Sequence, residues 1–144
     1  MHPAPNQNNT PNEDDNQILS SIYENVSSEF DEINKLIASQ ISSSTDLVET
    51  IGKYITEAGG KRLRPLLVLL TSKALNYEGK KHVKLATIIE FLHTATLLHD
   101  DVVDDSSLRR GKITANSKWS NAASVLVGDF LYSRAFELIV DVGS

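Results

Sequence analysis

Cysteine is absent from the 144-residue chain, and methionine and tryptophan occur once each. Without cysteine there is no disulfide scaffold, no thiolate metal site and no cysteine nucleophile. Long apolar runs are also missing. The longest, Leu66 to Leu70, has five residues, far below the roughly 18 needed to cross a bilayer as a helix. The first sixteen residues have neither a basic start nor an apolar stretch, which excludes a secretory signal peptide. They are acidic and lack arginine, which argues against a mitochondrial transit peptide. The expected setting is soluble and cytoplasmic. With 40% hydrophobic and 23% charged residues, the composition is that of one globular domain.

Charge of one sign is scarce in the first third. Residues 1–50 hold nine acids and a single base, Lys35, whereas residues 51–144 hold thirteen bases and ten acids. The second part is not basic enough for a nucleic-acid surface. Its bases fall into two small groups, Lys61-Arg62-Leu63-Arg64 and Arg109-Arg110-Gly111-Lys112. Small groups suit a compact anion such as a phosphate.

Residues 1–16, rich in asparagine and proline, read as a disordered acidic tail. From residue 17 apolar positions recur every three or four residues: Ile18, Ile22, Val26, then Phe30, Ile33, Ile37 and Ile41. Thr45 or Asp46 is placed to cap the next helix with Glu49 completing a capping box. That helix ends at Ala58-Gly59-Gly60. Pro65 opens a helix over Leu66 to Leu75, and a long helix spans Lys81 to Asp105. Asn116 to Val142 reads as one or two further helices, with small residues at Ala122-Ala123-Ser124 and Gly128 and core-sized Leu126, Phe130, Leu131 and Phe136. No stretch alternates long enough for a sheet. The class is all-α, with at least five helices.

The long helix carries apolar residues on nearly all sides, the pattern of a buried helix. Its C-terminal end nevertheless holds Asp100, Asp101, Asp104 and Asp105. At 100° per residue, Asp100, Asp104 and Asp101 share an arc of about 100°. Like charges on adjacent turns repel, and acids at a helix C-terminus oppose the macrodipole, so a cation must offset them. One reading is a solvated helix end paired to Arg109, Arg110 or Lys112. The other is a divalent metal site, where oxygen-only ligands favour Mg²⁺, Mn²⁺ or Ca²⁺. Mg²⁺ takes one or two carboxylates and completes its shell with water and substrate phosphates, so a phosphate-bearing ligand is expected near Asp100 and Asp104. Lys61 and Arg64 stand at a helix N-terminus after Gly59-Gly60, where free N–H groups favour anions. His93 lies about 20° from Asp100 on the same wheel and is expected to face the same cavity. His99 points elsewhere and is expected to be structural, and Trp119 is expected in the core.

Three stretches in order, GGKRLRP (59–65), FLHTATLLHDDVVDDSSLRRG (91–111) and NAASVLVGDFLYSRAF (121–136), make residues 20–144 resemble a trans-type isoprenyl diphosphate synthase, most closely the bacterial long-chain, octaprenyl-type polyprenyl synthases. Asp100-Asp101-Val102-Val103-Asp104 matches the family's first aspartate-rich motif. The resemblance implies the N-terminal part of an isoprenoid-synthase helical bundle with a central cavity. It implies Mg²⁺-dependent head-to-tail condensation of isopentenyl diphosphate with an allylic diphosphate, giving long chains such as quinone side chains. Asp100 and Asp104, assisted by Asp101, are implied to hold the metal, with two or more ions in the complete enzyme. Arg109 is implied to contact the allylic diphosphate, and Lys61, Arg64, His93 and Arg110 the isopentenyl diphosphate. Small Thr96 and Ala95 ahead of the motif favour a long product. The family forms homodimers and carries a second aspartate-rich motif that this sequence lacks, so the chain alone is expected to be weak or inactive. A non-catalytic partner or regulatory fragment of a synthase, and a class I terpene cyclase, are the alternatives; two separate basic groups argue against the cyclase.

Overall fold

The computed structural model describes residues 13–143. The expected tail therefore falls mostly outside the described residues, but its last part differs from expectation. Helix α1 (Glu13–Glu24) already begins at Glu13. Glu13, Asp14 and Asp15 occupy its first turn, where carboxylates face the positive end of the helix dipole. Helix α2 (Ser27–Ile41) buries Ile33, Ile37 and Ile41, the four-residue spacing read from the sequence. Helix α3 (Asp46–Glu57) follows. No capping box forms there, because the Thr45 side chain makes no cap bond. Glu49 instead accepts the Ser43 N–H at 3.3 Å and pairs with Lys53.

Helix α4 (Leu63–Ala74) starts three residues earlier than expected and places Pro65 in its first turn, where no intrahelical N–H is lost. The early start rests on Arg62, which caps the helix in the left-handed conformation at φ 48°. Helix α5 (Lys81–Val103) stops two residues before the expected Asp105. Its end is a Schellman motif: Asp105 N–H bonds to the Val102 carbonyl and Ser106 N–H to the Asp101 carbonyl, with Asp105 at φ 51°. A short antiparallel hairpin then appears where only a loop was expected, β1 (Leu108–Arg109) against β2 (Lys112–Ile113). Two residues per strand are too few for a periodicity signal. Helix α6 (Ala115–Lys118) and helix α7 (Asn121–Gly143) complete the described chain.

Among the described residues there are seven helices and one two-stranded ribbon, an all-α fold. α5 is central, packed against α7 on one side and α2 and α4 on the other. Small residues let α5 and α7 approach closely. The Ser124 hydroxyl donates to the Leu98 carbonyl at 3.1 Å, and the His99 ring fills the space a Cβ on Gly128 would take. Phe91, Leu98, Leu131 and Leu138 fill the seam. His99 also meets the Asp129 carboxylate at 3.3 Å, a structural contact.

The expectation that α5 is covered on all sides is not met. One stripe, Leu85, Ile89, Thr96, Asp100 and Val103, is exposed, Val103 by 82%. Leu126 and Phe136, expected in the core, are 64% and 60% exposed on α7, together with Val125 and Val140. Period-3.6 reasoning identifies which residues want cover, not which element supplies it. Of the two small residues near the acid motif, Thr96 lies on the open stripe, while Ala95 is buried in the helix packing. None of the described helices is long and apolar enough to cross a membrane.

Candidate active site

The segment after α5 is a rigid bracket for two arginines. Its link to the hairpin is pinned at the Ser106 carbonyl, which accepts from the Thr114 hydroxyl at 2.7 Å and from the buried Asn116 amide at 3.0 Å. The Tyr54 hydroxyl of α3 donates to the Ile113 carbonyl of β2 at 2.7 Å. The hairpin turn is Arg110-Gly111, with φ values of 49° and 77°. Positive φ at both central residues marks a type I′ turn, which matches the twist of the strands. Glycine accepts this freely, but for arginine it costs about 1 kcal/mol. The turn thereby aims Arg110 at the α3–α4 loop.

That loop is held from two sides. The Tyr23 hydroxyl donates to the Lys61 carbonyl, and Arg62 reaches Asn34 on α2 and the Thr56 carbonyl on α3. Loop and hairpin enclose a cavity of about 570 Å³. Lys61, Arg62, Arg64, His93, Arg109 and Arg110 line one part of it, Tyr54, Ile55, Leu97 and Ile113 another. Arg109 is engaged with Asp101, through Nε to Oδ2 at 3.1 Å and Nη2 to Oδ1 at 2.7 Å. The Asp101 carboxylate raises the Arg109 pKa, chiefly through this hydrogen bond. The side chains of Lys61, Arg64, His93 and Arg110 have no hydrogen-bond or ion-pair partner among the described residues. Burial lowers the His93 pKa, and Arg64, Arg109 and Arg110 lower it further. His93 is therefore neutral at pH 7 and offers an N–H without adding charge. Burial raises the pKa of Glu90 in the same cavity, against the pull of Arg62 and Arg64.

The four aspartates do not act as one cluster. Asp101 is 2% exposed and faces the basic cavity. Asp100 and Asp104 lie one turn apart on the open stripe, exposed and without an ion-pair partner. Of the solvated-end reading, the pairing to Arg109 is present at Asp101, but that carboxylate is buried rather than solvated. No group of three metal-ligating side chains is assembled among the described residues. Two exposed carboxylates on adjacent turns still fit an ion that draws its other ligands from water and phosphate.

The structure brings Lys61, Arg64, His93, Asp101, Arg109 and Arg110 to one cavity; Asp100 and Asp104, expected to share it with His93, instead lie on the exposed stripe outside its lining. Sequence reading missed Tyr54, Glu90, Gly60 and Asn116. Tyr54 and Asn116 act through contacts 59 and 10 residues distant, which no local pattern signals. Gly60 is legible only as part of a turn. Its bare Cα accommodates the Arg110 guanidinium, which a methyl group there would overlap. The Gly60→Ala variant is expected to displace Arg110 and weaken the binding of a compact anion such as pyrophosphate roughly tenfold, read by isothermal titration, with little change in Tm. Unchanged affinity would show that Arg110 does not depend on that space.

The sequence matches the polyprenyl synthetase family over residues 45–144. It is 51% identical over 126 residues to the octaprenyl diphosphate synthase of Escherichia coli K12, covering 88% of this chain and 39% of that enzyme. The fold is similar to a crystal structure of a decaprenyl diphosphate synthase from Rhodobacter capsulatus, with a TM-score of 0.84, 45% identity, and coverage of 88% of this chain and 39% of that one. It is also similar to a polyprenyl synthase from Caulobacter crescentus CB15 complexed with calcium and isoprenyl diphosphate, at TM-score 0.83 and 43% identity over 88% of this chain and 38% of the other. The chain thus spans well under half the length of these relatives. The motif order, the helical fold and the matched region agree: this chain belongs to the polyprenyl synthetase family.

Proposed function

We propose that the chain forms the diphosphate-binding part of a long-chain polyprenyl diphosphate synthase, a prenyltransferase that joins isopentenyl diphosphate to an allylic diphosphate. The observation that carries this reading is the cavity in which Lys61, Arg64, His93 and Arg110 converge without partners. Cationic donors held on rigid elements are preorganised for an anion and cost little to reorganise when it binds. Lys61, Arg64 and Arg110 hold the isopentenyl diphosphate, and neutral His93 donates a hydrogen bond to it. Arg109, fixed by Asp101, borders the allylic diphosphate. Asp100 and Asp104 are the carboxylates suited to Mg²⁺. Bound there with a diphosphate, the metal supplies charge neutralisation of the leaving group. Asp101 contributes through Arg109, not as a ligand.

The apolar stripe of α5 below Asp100, with Thr96, Leu92, Ile89 and Leu85, supplies a wall that excludes water from a reactive allylic chain. It has no aromatic side chain, and Thr96 leaves room for extension, which supports a long product. The exposed face of α7 is an apolar surface of the kind that marks an interface, here with a second copy in a homodimer. Because the chain spans 39% of the Escherichia coli enzyme's length and no group of three metal-ligating side chains is assembled among the described residues, its own turnover is expected to be low.

Titration of the chain with pyrophosphate, with and without Mg²⁺, tests the metal assignment. Mg²⁺ is expected to tighten pyrophosphate binding at least tenfold in the wild type and to have little effect in Asp100→Asn. The same variant should bind isopentenyl diphosphate without metal as well as the wild type does. An Mg²⁺ effect that survives in Asp100→Asn would contradict the assignment.

A further inference from the structure

Glu90 stands out in the basic cavity. Asp101, the other carboxylate there, is neutralised by Arg109, but Glu90 makes no hydrogen bond or ion pair among the described residues. It lies on α5 three residues before His93 and is half-buried. A site built only to hold an anion gains nothing from such a group, which is costly to desolvate and repels the ligand. The charges that act on it are Arg62, at the start of α4, and Arg64, in the first turn of that helix. Arg62 is occupied by Asn34 and the Thr56 carbonyl, so Arg64 is the one left to respond. The remaining charged groups of the cavity are Lys61, Arg109, Arg110 and Lys112, with His93 and the paired Asp101. From α2 the group at hand is Asn34 through Arg62, and α7 packs on the His99 side, where Asp129 faces that ring.

Resting on the isopentenyl diphosphate reading of this cavity, we propose that Glu90 is a positioning residue that competes with the diphosphate for Arg64. In the empty cavity its carboxylate counters the mutual repulsion of the guanidiniums without pairing to any one of them. When the diphosphate enters, Arg64 passes to the phosphate oxygens. Glu90, left half-buried between a polyanion and apolar walls, takes up one proton from solvent. Burial already raises its pKa against the pull of the arginines, and an arriving anion acts in the same direction. Glu90 thus sets how affinity varies with pH, and holds the site open to release as well as to capture.

The test is calorimetry of the 144-residue chain with isopentenyl diphosphate, free of Mg²⁺, in buffers of different protonation heat. The wild type is expected to take up more protons per ligand than Glu90→Gln; the ligand's own titration is common to both and cancels. Glu90→Gln is expected to bind roughly fivefold more tightly at pH 8, with the gap narrowing as the pH falls and the wild-type carboxylate is protonated. The gap should persist in a His93→Asn background, which assigns the proton to Glu90. Carbon-13 NMR of the wild-type Glu90 carboxyl reads the same event without substitution, as a shift to the protonated position on saturation. Equal affinity, weaker binding by Glu90→Gln, or a carboxyl signal that does not move would overturn the role of Glu90 alone. No binding by the wild type would overturn it together with the reading of the cavity.

Discussion

Replacing Asp101 with alanine is expected to lower Tm by roughly 6 °C and to abolish the ordered position of Arg109. Asp101 is 2% exposed and holds both Nε and Nη2 of Arg109. Removing one partner of a fully buried pair costs about 3–5 kcal/mol, because the other charge is left without a counterion. The Arg109 side chain is 37% exposed and recovers part of that from water, which brings the loss to about 2 kcal/mol. At this chain length that corresponds to the Tm shift given. The Asp101→Asn variant keeps one acceptor and should lose less. Calorimetric or circular-dichroism melting checks both. A Tm within a degree of wild type for Asp101→Ala would show that the hairpin does not rely on the Asp101–Arg109 pair.

The second large effect concerns binding. The Arg64→Ala, Arg110→Ala double variant is expected to lose isopentenyl diphosphate affinity by at least about a hundredfold, with Tm unchanged or raised. A charge-assisted hydrogen bond contributes roughly 1.5–3 kcal/mol, and each removed guanidinium makes at least one. Neither side chain has a partner in the described structure, so the fold loses nothing when they go and sheds mutual repulsion. Arg110 also sits at φ 49°, and Arg110→Gly should relieve that strain while removing the same charge. An outcome in which stability falls and affinity does not would mark these arginines as structural.

The sequence made the helices legible because their buried stripes are local: Ile33, Ile37 and Ile41 on α2, or Phe91, Ala95 and Leu98 on α5, repeat at helical spacing within one element. The motif residues were legible for the same reason. What escaped depends on contacts between distant segments or on single-residue backbone geometry. The role of Asp101 is the clearest case. Its place in the motif and on the helix wheel suggested a helper to the metal beside Asp100 and Asp104, but the structure buries its carboxylate against Arg109. The Schellman ending of α5, with Asp105 in the left-handed conformation, sets the exit of the hairpin. That ending carries no glycine to announce it. The early start of α4 likewise depends on Arg62 reaching Asn34, twenty-eight residues away. The open stripes on α5 and α7 looked like core because apolar spacing does not distinguish an occupied face from a waiting one.

The most direct measurement is a crystal structure of the chain soaked with isopentenyl diphosphate. The account predicts the diphosphate in the cavity between the α3–α4 loop and the hairpin, with phosphate oxygens within hydrogen-bond reach of Lys61, Arg64, His93 and Arg110, and the isoprenoid tail along the α5 stripe. A diphosphate found elsewhere, with Arg64 and Arg110 still directed away from it, would contradict the account.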